Sequence, residues 1–319
     1  MRYIRDILRE HAEANQPVIS CEFFPAKTPV GEATLLEKIA PRLKAINPAF
    51  FSVTYGAGGS TRDKTLDIVE TLQRDQGVPT MAHLTCVGST REDIGGFLDE
   101  AHQRDIRNIL ALRGDPPPGQ ENFVKPEGGF EFSHELVSYV RDHNDFTIGV
   151  AGFPEGHIAC TEGREVDWQR LQAKVDCGAD FVITQLFFDN ADFYAFRDYL
   201  RARGVTQPIL AGIIPILSGG QIQRFTKMCG SKLTPEITET LAKLGDDNAA
   251  VAEFGVDYAT RQCADLIANG VEGLHFYTLN KSRATVQIVQ NLNLAPPPLM
   301  STRVIGITGG VGMGKSTAA

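Results

Sequence analysis

Glu22 is the residue from which chemistry is most directly read. It stands in the run Val18-Ile19-Ser20-Cys21-Glu22-Phe23-Phe24-Pro25, an apolar stretch ended by a proline. An ionised carboxylate in such a setting loses several kcal/mol of hydration, so it must be paired with a lysine or arginine, protonated, or kept for proton transfer. Further polar and ionisable groups fall at the ends of later apolar runs: Thr54, His83, Arg113-Gly114-Asp115, Phe153 through His157, Gln185, and Tyr277 with Lys281 close behind it. Each has a structural explanation when taken alone. His83 reads as a satisfied core histidine, Arg113 with Asp115 as a salt-bridged turn, Lys174 as a solvated helix charge, and Gln185 as a partner for backbone groups. Their common position at run ends is what calls for a functional reading.

The elements that carry these residues alternate. Short β-branched runs at 17–24, 49–54, 79–85, 107–112, 146–152, 180–186, 208–214 and 272–278 read as strands. Longer amphipathic stretches at 31–46, 62–75, 90–104, 133–143, 167–177, 190–203, 218–229 and 246–269 read as helices, several begun by Thr, Ser or Asp caps. Eight strands separated by helices predict an α/β protein built as a (β/α)8 TIM barrel. A doubly wound open sheet is the alternative, but no Gly-x-Gly-x-x-Gly follows the first strand. In a barrel the C-terminal strand ends line one face, which is where Glu22, Thr54, His83, Arg113, Gly152 to His157, Gln185 and His275 to Asn280 would meet.

Composition narrows the partners. The chain has 319 residues, 42% hydrophobic and 22% charged, with a formal net charge of −8, so an extended nucleic-acid or anionic-membrane surface is not expected and a small molecule is. The six cysteines are scattered without Cys-x-x-Cys pairs or metal-ligand spacing and read as buried reduced thiols of a cytoplasmic protein. The charged N-terminus does not read as a signal peptide, and no apolar run reaches membrane-spanning length.

In order, the words Glu22-Phe23-Phe24-Pro25, Ser52-Val53-Thr54-Tyr55-Gly56-Ala57, His83-Leu84-Thr85-Cys86, Leu112-Arg113-Gly114-Asp115-Pro116-Pro117, Lys174 to Asp180, Ile183 to Asp189 and His275-Phe276-Tyr277-Thr278-Leu279-Asn280 resemble the methylenetetrahydrofolate reductase family. The likeness covers residues 17–293. It implies a barrel holding FAD, which takes hydride from NADH or NADPH and passes it in ping-pong fashion to 5,10-methylenetetrahydrofolate. The product, 5-methyltetrahydrofolate, would supply methyl groups for methionine synthesis.

By that resemblance Glu22 is the general acid that opens the folate's imidazolidine ring, a task suited to a carboxylic acid kept protonated by an apolar setting. Asp115 stands beside flavin and pterin, where its negative charge would disfavour electron-rich reduced flavin. Gln185, Tyr277 and Lys281 are the further folate contacts implied. The implied FAD contacts are Thr54, His83, Arg113, Gly114, Asp115, Phe132, Ala151, Phe153, His157, Asp167, Arg170 and Lys174. Arg113 and Lys174 suit a dianionic pyrophosphate. Phe153 stands where a tyrosine is common, and Pro215 to Gly220 lacks an aromatic that other members place after strand seven. The eukaryotic members carry a C-terminal domain that senses S-adenosylmethionine, for which this chain has no room; a stand-alone catalytic domain over 1–293, assembled as a homo-oligomer, is expected.

Residues 294–319 read as a proline-rich linker and a disordered tail. Gly309 to Ser316 fits the phosphate-binding loop pattern after an apolar strand, and from Met300 the tail resembles the start of a dephospho-CoA kinase. With the chain ending at Ala319, the rest of such a nucleotide site is absent, so ATP binding is not expected. A nucleotide-binding phosphotransferase and a folate-binding barrel without redox chemistry are the rival readings; retained flavin separates the reductase from both.

Overall fold

The computed structural model describes residues 2–55, 62–114 and 123–295. Its centre is a closed barrel of eight parallel strands in sequence order: β1 (Val18–Phe23), β2 (Phe50–Val53), β3 (Thr80–Thr85), β4 (Asn108–Leu112), β5 (Thr147–Gly152), β6 (Phe181–Thr184), β7 (Ile209–Ile213) and β8 (Gly273–Tyr277). The predicted TIM barrel is the observed fold. Each predicted strand is found, starting one residue later than predicted and, except in β3, β4 and β5, ending one or two residues earlier, because strands covered on both faces read as unbroken apolar runs. Outward residues such as Cys21, Phe51, Leu84 and Phe276 pack beneath the helices, while Val18, Phe50, Met81, Leu110, Phe181 and Leu210 fill the lower barrel.

The helices are α1 (Ile4–Glu13), α2 (Pro29–Thr34), α3 (Ala40–Lys44), α4 (Arg62–Gln76), α5 (Arg91–Gln103), α6 (Ser133–His143), α7 (Arg164–Asp176), α8 (Asn190–Ala202), α9 (Gly219–Cys229), α10 (Pro235–Leu244), α11 (Asn248–Ala268) and α12 (Arg283–Asn291). Their starts follow the caps: Thr90 with Asp93 forms a capping box, and Ser218, Thr234 and Asp247 each accept from the first turn that follows. The stretch predicted as one helix over 31–46 is instead α2, a π-helical segment Leu35–Ile39 and α3. Pro41 has no N–H to return to the preceding turn, and a widened turn just before it accommodates the defect. Helix 167–177 begins earlier, at Arg164. Three cysteines also depart from expectation: Cys160, Cys177 and Cys229 are only partly buried, whereas Cys21, Cys86 and Cys263 are buried; all six are free.

Helix α1 decides which mouth of the barrel is available. Ile4 and Leu8 join the apolar cluster of the lower barrel. The Ile4 N–H donates to Asn108 Oδ1 at 2.8 Å, and Arg5 donates to the Phe146 carbonyl at 3.0 Å. The N-terminal mouth is therefore plugged, leaving the C-terminal strand ends as the open face.

Candidate active site

Above the apolar floor the barrel interior turns polar. Ser20, Glu22, Ser52, His83, Thr85 and His275 are all buried. Glu22, only 5% exposed, lies opposite Ser52 on β2 and Tyr277 on β8. Its Oε2 is 3.4 Å from His83 Nε2 and 3.4 Å from His275 Nε2. Neither lysine nor arginine pairs with it among the described residues, so the cationic partner that sequence allowed is replaced by two imidazoles. Burial pushes His83 down to about 4, with His275 adding to the fall and Glu22 opposing it; His83 is thus a neutral ring at neutral pH. Burial, followed by the charge of Glu22, holds the Tyr277 phenol well above its usual value.

Tyr277 reaches across the mouth, donating its OH to the Thr184 carbonyl at 2.7 Å. The bridge passes over Gly212, where a Cβ would lie 2.1 Å from that carbonyl and 2.8 Å from the tyrosine ring. Only glycine leaves room. The loop after β8 is clamped to the end of β1: Thr278 Oγ1 donates to the Glu22 carbonyl at 2.6 Å, and the Asn280 side chain both accepts from and donates to the Phe24 backbone. Leu279 and Asn280 take φ values of 52° and 54° in this turn. A left-handed leucine costs about 1–2 kcal/mol, and the clamps hold it in place.

A second cluster forms around β4, β5 and α7. Lys174 Nζ donates to the Ala151 carbonyl at 3.1 Å. Burial lowers its pKa from 10.5 to about 8, with Asp167 opposing the fall and Arg113 adding to it. Asp167 accepts from the His157 N–H at 3.2 Å, and burial raises its carboxyl. The Phe153 and His157 rings meet edge to face at 4.6 Å, and the Trp168 indole fixes the Phe153 carbonyl at 2.8 Å. Glu155 accepts from the Lys232 N–H at 3.2 and 3.1 Å, pinning this loop to the segment between α9 and α10.

The two clusters share one mouth. The Cys86 N–H donates to the Arg113 carbonyl at 3.1 Å, joining the ends of β3 and β4, and the Gln185 N–H donates to the Gly152 carbonyl at 2.7 Å, joining those of β5 and β6. Gly114 adopts φ +85° against Val87 and Thr85. Thr54 sits at the end of β2, its N–H bonded to the Phe23 carbonyl. Phe132, 47% exposed, stacks on His134 at the start of α6. Two expected residues stand apart from both clusters: Arg170 pairs with Glu162 on the exposed face of α7, and Lys281 is an exposed residue of the turn after β8. Asp115, the segment Gly56 to Gly59 and the phosphate-loop pattern from Gly309 to Ser316 lie outside the described residues. Ser20 was not singled out from sequence and His275 was named at the end of strand eight without a role, although alternation places Ser20 on the same strand face as Glu22, and His275 on that of Tyr277.

The cofactor named by the resemblance can be tested against these residues. Ser52 Oγ, His83 Nε2 and Thr85 Oγ1 are buried without a hydrogen-bond partner. Among the described residues neither Arg113 nor Lys174 forms a salt bridge, and the two repel one another. Unsatisfied buried polar atoms and two neighbouring cations that form no salt bridge among the described residues fit a polar, dianionic ligand such as FAD.

Fold and mouth together define the class: a (β/α)8 barrel with a buried acid at its open end and a cationic corner beside it. The methylenetetrahydrofolate reductase family profile matches residues 7–293. The chain is 40% identical over 299 residues to methylenetetrahydrofolate reductase (NADH) 1 of Arabidopsis thaliana, covering 91% of this chain and 50% of that protein. It is 34% identical over 278 residues to 5,10-methylenetetrahydrofolate reductase of Escherichia coli (strain K12), covering 87% and 91%. The chain belongs to the methylenetetrahydrofolate reductase family. It spans about half the length of the plant relatives it matches and nine-tenths of the bacterial one. Among solved structures, an uncharacterized protein from Clostridium thermocellum that binds two copies of 5-methyl-5,6,7,8-tetrahydrofolic acid matches with a TM-score of 0.61 at 16% identity, over 90% of this chain and 98% of that one. At that identity the likeness speaks for the fold.

Proposed function

We propose that this chain reduces 5,10-methylenetetrahydrofolate to 5-methyltetrahydrofolate with a reduced nicotinamide as donor, and that residues 1–293 are its catalytic unit. The observation that carries the reading is a carboxyl group buried at the barrel mouth with no lysine or arginine paired to it among the described residues, at the same strand-end face as Arg113 and Lys174, which form no salt bridge among those residues. The names of the Arabidopsis and Escherichia coli relatives support the reaction, the plant name favours NADH, and the folate bound by the Clostridium protein supports a folate ligand.

When bound, FAD would supply a two-electron carrier that accepts hydride from the nicotinamide and delivers it to the folate in ping-pong order. Arg113 and Lys174 would hold its pyrophosphate, while Thr54, His83, Gly114, Phe132, Ala151, Phe153, His157, Asp167 and Arg170 are the other proposed contacts. Glu22 would protonate the departing nitrogen of the folate's five-membered ring, so that the ring carbon becomes an iminium open to reduction. Buried surroundings exclude water that would hydrolyse such a cation. Gln185, Tyr277 and Lys281 would orient the pterin, and Asp115 would place a negative charge beside it. The product would feed methyl transfer to methionine.

The test is the visible spectrum of the purified protein. A flavin spectrum that bleaches under anaerobic NADH or NADPH and returns on adding methylenetetrahydrofolate is expected. A colourless protein that takes up no added FAD would refute the redox reading and leave a folate-binding barrel.

A further inference from the structure

Ser20, His275 and Glu22 form a chain through the centre of the barrel. Ser20 Oγ is 2.8 Å from His275 Nδ1, and His275 Nε2 is 3.4 Å from Glu22 Oε2. The imidazole is wholly buried. Phe50 stacks on it at 6.2 Å with a 24° tilt, and Tyr277 meets it edge-on at 5.3 Å, so its ring cannot turn without displacing both.

Two arrangements are open to this chain when the ring is neutral. If Nδ1 carries the proton and donates to Ser20, the hydroxyl has only the Leu274 carbonyl at 3.5 Å to donate to, and a bare Nε2 lone pair faces Glu22. If Ser20 donates to Nδ1, the proton lies on Nε2 and points at Glu22 Oε2. Only the second avoids opposing lone pairs after Glu22 has lost its proton. His83 Nε2 also approaches Oε2, whereas among the described residues Oε1 has no hydrogen-bond partner.

We propose that His275, held in its Nε2–H form by Ser20, is a positioning residue that occupies Glu22 Oε2, leaving Oε1 as the oxygen that carries the transferable proton. The same N–H then stabilises the carboxylate formed when that proton leaves. This rests on the reductase reading above for what receives the proton, but the tautomer and the geometry stand apart from it.

Two measurements test it on the full chain. In the first, histidine is labelled with 15N and the His275 signal is identified by its loss in His275→Gln. The expected pattern is a neutral ring protonated on Nε2, shifting toward a mixture of tautomers in Ser20→Ala. A ring protonated on Nδ1 in the wild type overturns the proposal. In the second, the two half-reactions are followed by rapid mixing. His275→Leu should slow flavin reoxidation by the folate roughly 10- to 100-fold, the loss of a charge-assisted hydrogen bond, while flavin reduction by nicotinamide changes far less. His275→Gln, which keeps an N–H donor, should recover part of the folate step. A leucine variant in which both half-reactions keep their wild-type ratio overturns the proposal. If the wild-type chain binds no flavin, the reductase reading fails, and the tautomer measurement alone decides the position of the proton.

Discussion

Replacing Lys174 by methionine should make the cofactor-free protein more stable and a poorer holder of dinucleotide. Burial lowers the pKa of this ammonium from 10.5 to about 8, and at about 1.36 kcal/mol for each tenfold change, keeping it charged at pH 7 costs up to about 3 kcal/mol. Methionine fills similar space without the charge. It also forfeits the bond from Nζ to the Ala151 carbonyl, worth about 1 kcal/mol. Because the side chain is only partly buried, residual hydration trims the gain further. A net stabilisation of roughly 1–2 kcal/mol remains, or about 2–5 °C in Tm for a domain of this size. The same substitution removes one of the two cations proposed to hold the pyrophosphate, so the Kd for FAD should rise about 10- to 100-fold. Thermal melts of the cofactor-free protein and a fluorescence titration with FAD measure the two effects. The pH dependence supplies an internal check. Between pH 8 and 10.5 the unfolded chain holds the lysine proton that the folded chain has released, so wild-type stability should rise with pH across that window, and the methionine variant should lack this component. A variant that melts lower and binds FAD as tightly as the wild type would refute the assignment of Lys174 to the anion corner.

The other predictions concern the acid and its setting. Glu22→Gln keeps the shape of the side chain but removes the donor, so NADH should still bleach the flavin while folate reduction falls about 10²- to 10⁴-fold; normal turnover would reject Glu22 as the acid. His83, lowered from 6.5 to about 4, is protonated more readily in the unfolded chain between those values. It should therefore draw stability away as pH falls from 6.5 to 4, by up to about 3 kcal/mol, and urea melts of His83→Gln should show a shallower decline over that range. Gly212→Ala puts a methyl group within 2.1 Å of the Thr184 carbonyl, which must displace the Tyr277 bridge; a loss of several kcal/mol is expected, and an unchanged urea midpoint would show that the crossing is looser than drawn.

Most of the barrel is written locally, and so is readable from sequence. Strands such as Phe181–Thr184 and Ile209–Ile213 are apolar throughout because helices cover one face and the barrel interior the other. Helix caps such as Thr90 and Ser218 mark their boundaries in single residues. What sequence hid is pairing at long range. Glu22 was legible as a misplaced acid, yet its partners His83 and His275 lie 61 and 253 positions away, His83 brought near across β2 from β3 and His275 by closure of β1 onto β8. Lys174 illustrates a different limit. Taken alone on its helix it reads as a solvated charge, and only the approach of α7 to the Ala151 carbonyl shows it as a half-buried, hydrogen-bonded cation. The same closure explains why both kinds of residue sit where they do. A sealed barrel plugged by α1 at one end exposes its strand termini at the other, so groups too polar for the core can be held there out of water without being left in it. The cost of burying Glu22 beside two imidazoles, and of leaving Lys174 and Arg113 without a salt bridge among the described residues, falls on the one face where a bound ligand would recover it.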